Sequence, residues 1–274
     1  MAIIGISGKK QSGKDTVGRI IQIITDSPHF NDEAVVSFIN KPSSSNPEWV
    51  INKFANKLKW IVCMLINCTG KQLEDEDFKN TELSEEWWYY KPSDTMYPYL
   101  EFKQHEDQNN GINISSEDLI KPTPRTLLQL LGTECGRQVI HTNIWVNATM
   151  SDYINTNPNF SLDDGDALPV TLRERYPNWI ITDVRFPNEI EAVKQKDGIS
   201  IRINRPFKCC NMKDLEYQDC MDCAEYQMNI FQNEHISETA LDDYGKWNYV
   251  INNDGTLLEL VQKVREILIK TNTI

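Results

Sequence analysis

The sequence predicts an α/β protein: a five-stranded parallel sheet covered by helices on both faces, with inserted substrate and lid segments. Three observations carry this. A short apolar run at residues 2–6 leads at once into a Gly- and Lys-rich loop and then a helical stretch. Later apolar runs alternate with segments of helical periodicity rather than tight hairpin turns, the connection that parallel strands require. Charged side chains stand at the ends of two of those runs, near 183–185 and 202–205, where open α/β sheets bind their ligands.

The loop is the most informative stretch. Gly8-Lys9-Lys10-Gln11-Ser12-Gly13-Lys14 spells G-x-x-x-x-G-K between a strand and a helix, the context that marks a P-loop and with it a nucleotide phosphate site. Its glycines let successive N–H groups turn inward, and the helix N-terminus adds partial positive charge. Lys14 then reaches the β- and γ-phosphates of a nucleotide. Asp15 stands where most P-loops carry Ser or Thr, and Thr16 follows it. Either Asp15 or Thr16 holds Mg²⁺, and the sequence leaves both open.

Taken in order, the first helix runs from about Gly13 to Ile24, with Val17, Ile20, Ile21 and Ile24 on one face. Ala34–Ile39 reads as a second buried strand, and 42–47 as a loop. Trp49–Cys68 reads as one long helix on Phe54, Leu58, Ile61 and Leu65, closed by Thr69-Gly70; its Lys53, Lys57 and Lys59 could reach substrate but are assigned to a solvated face. Residues 71–121 are acidic early, aromatic at Trp87–Tyr90 and Asn-rich late, and read as an inserted subdomain. Thr123 and Pro124 start a helix as N-cap and first-turn proline. Leu127, Leu128, Leu131 and Cys135 share one of its faces. Arg125, Gln129, Gly132 and Gly136 share the other, which is either open to a ligand or a seam of close helix packing. Arg137 lies off that stripe. A helix over Asn143–Ile154 and a loop-like stretch follow. Asn178–Asp183 is the third strand, with Asp183 at its carboxyl end. A helix from Pro187 stops at Asp197-Gly198, Ile199–Ile203 is the fourth strand and Trp247–Ile251 the fifth. Thr256-x-x-Glu259 is a capping box opening a last helix with Leu257, Leu260, Val261, Val264, Ile267 and Leu268 on one side. The whole reads as a single domain over 1–274, with the subdomain at about 71–121 and a lid-like segment at about 205–240.

Composition narrows the function classes. The 274 residues are 40% hydrophobic and carry a net charge of −12, which argues against a nucleic-acid footprint. No apolar run approaches the ~20 residues of a membrane span. The first residues already read as a core strand, so the expectation is a chain without a leader. Seven cysteines, an odd number, suggest reduced thiols and a cytoplasmic protein, in the host cell if the protein is viral. Monomer and homodimer are both left open.

Asp183 ends an apolar strand, as an acidic Mg²⁺ ligand does in P-loop enzymes. Arg185 follows on the same edge, and the next strand delivers Arg202 and Arg205. Planar guanidinium groups suit the charge that spreads over a transferred phosphoryl group. No base is required, because the acceptor phosphate is itself nucleophilic. Cys220-x-x-Cys223 has zinc-knuckle spacing, but Cys209 and Cys210 are adjacent, so the four are read as free thiols rather than a zinc site. His235, in NEHISET, either reaches the site or sits at an ordinary helix start.

With these residues collected, the chain resembles the phage-type deoxynucleoside monophosphate kinases. The resemblance rests on GKKQSGKDT at 8–16, FANKLK at 54–59, PRTLLQLLGTECGR at 124–137, ITDVRFPNE at 181–189, IRINRP at 201–206, NEHISE at 233–238 and VINNDGT at 250–256. It implies transfer of the ATP γ-phosphoryl group to a deoxynucleoside 5′-monophosphate, with ATP and Mg²⁺ as cofactors and small nucleotides as partners. On that resemblance Gly8, Lys10, Ser12, Gly13, Lys14, Asp15 and Thr16 bind ATP, and Arg125, Gln129 and Arg137 bind the monophosphate. Lys14, Arg185 and Arg205 are catalytic, Arg205 opens the lid, and Asp15, Thr16 and Asp183 hold the metal. Another small-molecule P-loop kinase, of the phosphomevalonate or dephospho-coenzyme-A type, and a non-catalytic nucleotide sensor remain the competing readings. The arginine set favours an enzyme, since a sensor has little use for guanidinium groups directed at a second phosphate.

Overall fold

A computed structural model describes residues 3–93, 95–104, 115–154, 176–206 and 235–274. The stretch holding Cys209, Cys210, Cys220 and Cys223, and most of the expected lid, lie outside the described residues. In chain order the elements are β1 (Ile3–Gly8), α1 (Lys14–Asp26), α2 (Asp32–Phe38), β2 (Trp49–Asn52), α3 (Asn56–Ile66), α4 (Gly70–Glu74) and α5 (Glu76–Asn80). Then come β3 (Tyr89–Tyr90), β4 (Tyr97–Pro98), α6 (Tyr99–Gln104), β5 (Leu119–Ile120) and α7 (Pro124–Gln129), which runs into a π-helix over Leu130–Ile140. The chain continues through α8 (Ile144–Met150), β6 (Asn178–Val184), α9 (Pro187–Lys194), β7 (Ile199–Asn204), α10 (Ile236–Thr239), β8 (Tyr249–Asn252) and α11 (Leu257–Lys270). It forms two compact units, one of Met1–Phe54 with Val146–Ile274 and one of Ala55–Trp145. Among the described residues no helix is long and apolar enough to cross a membrane.

The first unit is built on a five-stranded, all-parallel sheet in the order β2-β6-β1-β7-β8. β1 is central, and its residues Ile3–Ser7 are buried because both its faces are covered, as in other parallel sheets. Ile4, Ile6, Ile180, Ile201 and Ile203 pack with Val17, Ile20, Ile21 and Ile24 of α1 and with Leu260, Val261, Val264 and Leu268 of α11. Ile3, Trp179, Ile181 and Val184 pack on the other face with Ile190 and Val193 of α9, Phe54 and Tyr153. Val17, Ile20, Ile21 and Ile24 of α1 are each 0% exposed, a burial worth about 1.5–3 kcal/mol per side chain. Leu257, expected on the buried side of the last helix, is exposed at its first turn.

One irregularity shapes the carboxyl edge of the sheet. Gly5 pairs with Ile181 but Ser7 with Val184, so Thr182 and Asp183 together oppose Ile6. Such a bulge re-aims side chains that a regular strand would send to opposite faces.

Two sequence expectations are corrected here. Ala34–Ile39 is not a strand but most of α2: the Asn31 side chain caps Ala34 N, Asp32 and Glu33 fill the first turn, and only Val35 is buried. The β-branched pair Val35-Val36 imitates a strand, and the cap decides against it. Trp49–Cys68 is not one helix: Trp49–Asn52 is the edge strand β2, paired with Asn178–Ile181 of β6, before α3 begins. The α3 helix ends at Asn67 in the left-handed region (φ 51°), whereas Thr69 is the N-cap of α4 with Gln72 completing a capping box. The sheet keeps its five strands, with β2 in the place assigned to 34–39.

In the second unit Leu58, Val62, Leu73 and Trp145 form the core, with Leu127, Leu128 and Leu131 against it. A small antiparallel sheet in the order β4-β3-β5 carries the aromatic cluster of Trp88, Tyr90, Tyr99 and Phe102, which pack on one another. Of the two readings of the stripe on the helix from Pro124, close packing holds at its two glycines. Gly132 and Gly136 are buried, a Cβ on Gly132 would meet Leu58 at 2.8 Å, and one on Gly136 would meet Trp145 at 3.0 Å. Cys135 is exposed instead. The cause is the π-helix, whose i→i+5 bonding (His141 N to Gly136 O, 2.9 Å) shifts the phase of every residue after Gln129.

Candidate phosphate-binding site

The loop between β1 and α1 is held by backbone chemistry that only glycine permits at two positions. Gly13 caps α1 in the left-handed region (φ 99°), and a Cβ there would meet Asn253 Nδ2 at 2.7 Å. A Cβ on Gly8 would lie 2.6 Å from the Ile203 carbonyl oxygen. Ser12 N donates to Lys9 O across the turn (3.2 Å). From the far end of the chain Asn253 Nδ2 donates to Ser12 O (2.9 Å), while Asn253 N donates to Asn204 O (2.7 Å). Arg205 reaches the loop at Gln11 O (3.3 Å), and Lys10 is exposed. Ser12 is 2% exposed, and its hydroxyl has no hydrogen-bond partner among the described residues.

Lys14 Nζ donates to the carbonyls of Gly8 (2.6 Å) and Lys9 (2.7 Å). Burial, and after it the positive charge of Arg185, lower the Lys14 pKa to about 8; Arg202 adds to this while Asp15 and Asp183 oppose it. A partly desolvated ammonium thus stands within the field of two guanidinium groups. With an orphaned hydroxyl and a glycine cradle next to it, the arrangement fits a polyphosphate.

Asp15, in the first turn of α1, accepts from Thr182 Oγ1 (2.7 Å) and from Lys53 Nζ (3.1 Å). Crowding around it works against ionisation, although the side chain is 70% exposed. The Thr182 hydrogen bond, Lys53 and Lys14 outweigh that and hold the carboxyl below the usual range. Thr16 follows on the same turn, half-buried. Asp183 Oδ1 accepts from Phe54 N (2.8 Å). Among the described residues no three His, Cys, Asp or Glu side chains converge. Mg²⁺ at such sites commonly takes only one or two carboxylates, the phosphates supplying further ligands.

The arginines are engaged by carboxylates. Arg185 pairs with Glu238 of α10, the helix capped by His235, and Arg185 N donates to the buried Glu189 (2.6 Å). Arg202 donates to Ser7 Oγ (3.2 Å) and to Asp242 (3.4 Å), which also takes Lys9 (2.7 Å). Lys14, Asp15, Thr16, Asp183, Arg185, Arg202 and Arg205 thus all belong to the first unit. Arg125, Gln129 and Arg137 belong to the second, where Arg125 bonds Glu76 (2.6 Å) and Asn80 (2.8 Å) and Arg137 bonds Thr142 O (3.4 Å).

Sequence reasoning missed Lys53, Thr182 and Asn253. Asn253 was hidden in the turn signal Asn252-Asn253-Asp254-Gly255, Thr182 in an apolar strand, and Lys53 in what looked like a helix face.

The five-stranded parallel sheet, with a glycine-rich loop running from its central strand into a helix, is the fold of the P-loop kinases. No family model matches the chain. Over 212 residues it is 27% identical to the deoxynucleoside-5′-monophosphate kinase of Escherichia phage T5, an alignment spanning 73% of this chain and 74% of that protein.

Proposed function

We propose that this protein is an ATP-dependent kinase transferring the γ-phosphoryl group to a deoxynucleoside 5′-monophosphate, giving the diphosphate. The observation that carries it is Lys14, an ammonium held at the Gly8 and Lys9 carbonyls inside a glycine cradle, its pKa lowered first by burial and then by Arg185. The similarity to a kinase of deoxynucleoside monophosphates supplies the acceptor class. ATP phosphates lie in the loop of Gly8, Lys10, Ser12, Gly13, Lys14, Asp15 and Thr16. Asp15, Thr16 and Asp183 would hold Mg²⁺, which neutralises phosphate charge and orients the transferred group when bound. Lys14, Arg185 and Arg205 stabilise the charge that spreads over the phosphoryl group in transit. For Arg185 this requires exchanging Glu238 for phosphate.

Arg125, Gln129 and Arg137 bind the acceptor monophosphate. Arg125 already grips a carboxylate, Glu76, with a geometry that a phosphate could take over. Arg125→Ala should therefore raise the acceptor KM about ten- to a hundred-fold and leave ATP affinity unchanged. Steady-state kinetics with ATP and monophosphate varied separately decide this, and unchanged acceptor kinetics would confine Arg125 to structure. The function itself is tested by an acceptor screen with labelled ATP. Deoxynucleoside monophosphates should be phosphorylated; phosphomevalonate or dephospho-coenzyme A as the sole acceptor would reject the reading.

A further inference from the structure

We infer that Lys53 is a positioning residue for the P-loop carboxylate Asp15, fixing which of its oxygens is free to meet a nucleotide-bound metal. The inference rests on the kinase reading and concerns a residue outside the motifs that suggested it. Lys53 follows β2 and is held on both sides. Its own N–H donates to Asn52 Oδ1 (2.8 Å), and the next N–H, of Phe54, donates to Asp183 Oδ1 (2.8 Å). The Phe54 ring is 1% exposed, which anchors the turn in the core. The Lys53 side chain is only 25% exposed and its ammonium lies 3.1 Å from Asp15 Oδ1. Thr182 Oγ1 donates to that same oxygen at 2.7 Å. Two donors on Oδ1 orient the carboxylate and direct Oδ2 elsewhere.

The chemistry gives this arrangement a purpose. A hydroxyl at the Asp15 position would add no charge beside the phosphates, whereas a carboxylate adds one negative charge in the most anionic part of the complex. Lys53 offsets it without entering the phosphate cradle. The bulge that sets Thr182 and Asp183 together against Ile6 supplies the second donor. One turn after β2 thus serves both strand-end acidic groups, Lys53 through its side chain at Asp15 and Phe54 through its backbone at Asp183.

The test is calorimetric titration of ATP without acceptor, with Mg²⁺ and separately with EDTA, on wild type, Lys53→Met, Asp15→Ser and the double variant. Outer groups that orient metal ligands typically contribute about ten- to a hundred-fold to metal affinity. Lys53→Met should therefore lose about tenfold of the affinity that Mg²⁺ adds and keep its EDTA affinity within about twofold. In the Asp15→Ser background Lys53→Met should have no further effect, and Lys53→Arg should recover part of the loss. Equal weakening with and without Mg²⁺, or the same loss in the Asp15→Ser background, would overturn the inference and place Lys53 on the phosphates or in the structure alone. If Lys53→Met does not fold by circular dichroism, Thr182→Val removes the other donor to Oδ1. It should show the same Mg²⁺-specific loss, and its absence would equally overturn the inference. ATP binding to wild type with no transfer to any monophosphate would reject the kinase reading alone; no ATP binding at all would reject both.

Discussion

Lys14→Ala should fold normally and lose about 10³-fold in phosphoryl transfer, the scale of removing one preorganised charge from a transition state. Folding survives because, among the described residues, Lys14 bonds only the loop carbonyls of Gly8 and Lys9. Thermal stability at pH 7 should even rise. The Lys14 pKa falls from 10.5 unfolded to about 8 folded, so below pH 8 the folded protein carries a charge it disfavours. Between about pH 8 and 10.5 the unfolded state binds more protons, and wild-type stability climbs with pH in that window. The alanine variant should lack this climb. Melting curves across pH 7–10 beside steady-state kinetics check both halves; activity within a few-fold of wild type would reject the P-loop assignment.

Arg185→Ala should lower turnover by about 10²-fold and also move a pH profile. Bound phosphate favours the charged form of Lys14, so ATP affinity should fall as pH rises through about 8, by up to about tenfold per unit. After burial, Arg185 is the largest influence lowering that pKa. Removing it should shift the break in ATP affinity to higher pH. Turnover loss with the break unmoved would mean that Arg185 acts on substrate without sensing Lys14.

The parts legible in the sequence are those where one local signal has one meaning. The central strands β1, β6 and β7 are apolar runs buried on both faces, and the loop glycines are dictated by backbone geometry. The α11 capping box at Thr256 and Glu259 is likewise written in the chain. Reading failed where two forces compete. Val35 and Val36 favour a strand, and the Asn31 cap makes a helix. Trp49–Asn52 is too short for a pattern of its own, and it becomes a strand by pairing with β6. The π-helix at Leu130–Ile140 breaks the 3.6-residue count on which the stripe of Arg125, Gln129, Gly132 and Gly136 was built. Lys53 illustrates the limit for the site: a single lysine carries no spacing signal, and its role is defined by Asp15, 38 positions earlier in the chain.

The sheet order has a consequence for synthesis. β1 precedes the other strands of the sheet in the chain, yet its two neighbours are β6 and β7, which begin at Asn178 and Ile199. This buried strand therefore waits unpaired until the chain has been made through Asn178 and beyond. The loop that follows it waits longer still, because its clasp at Ser12 comes from Asn253, and α11 packs on α1 only afterwards. Non-local pairing of this kind folds slowly and leaves apolar segments open to association. Ribosome-bound chains that stop before Asn178 should hold an exposed β1, and those that stop before Asn253 an unfinished loop, so that competence for nucleotide waits for Asn253.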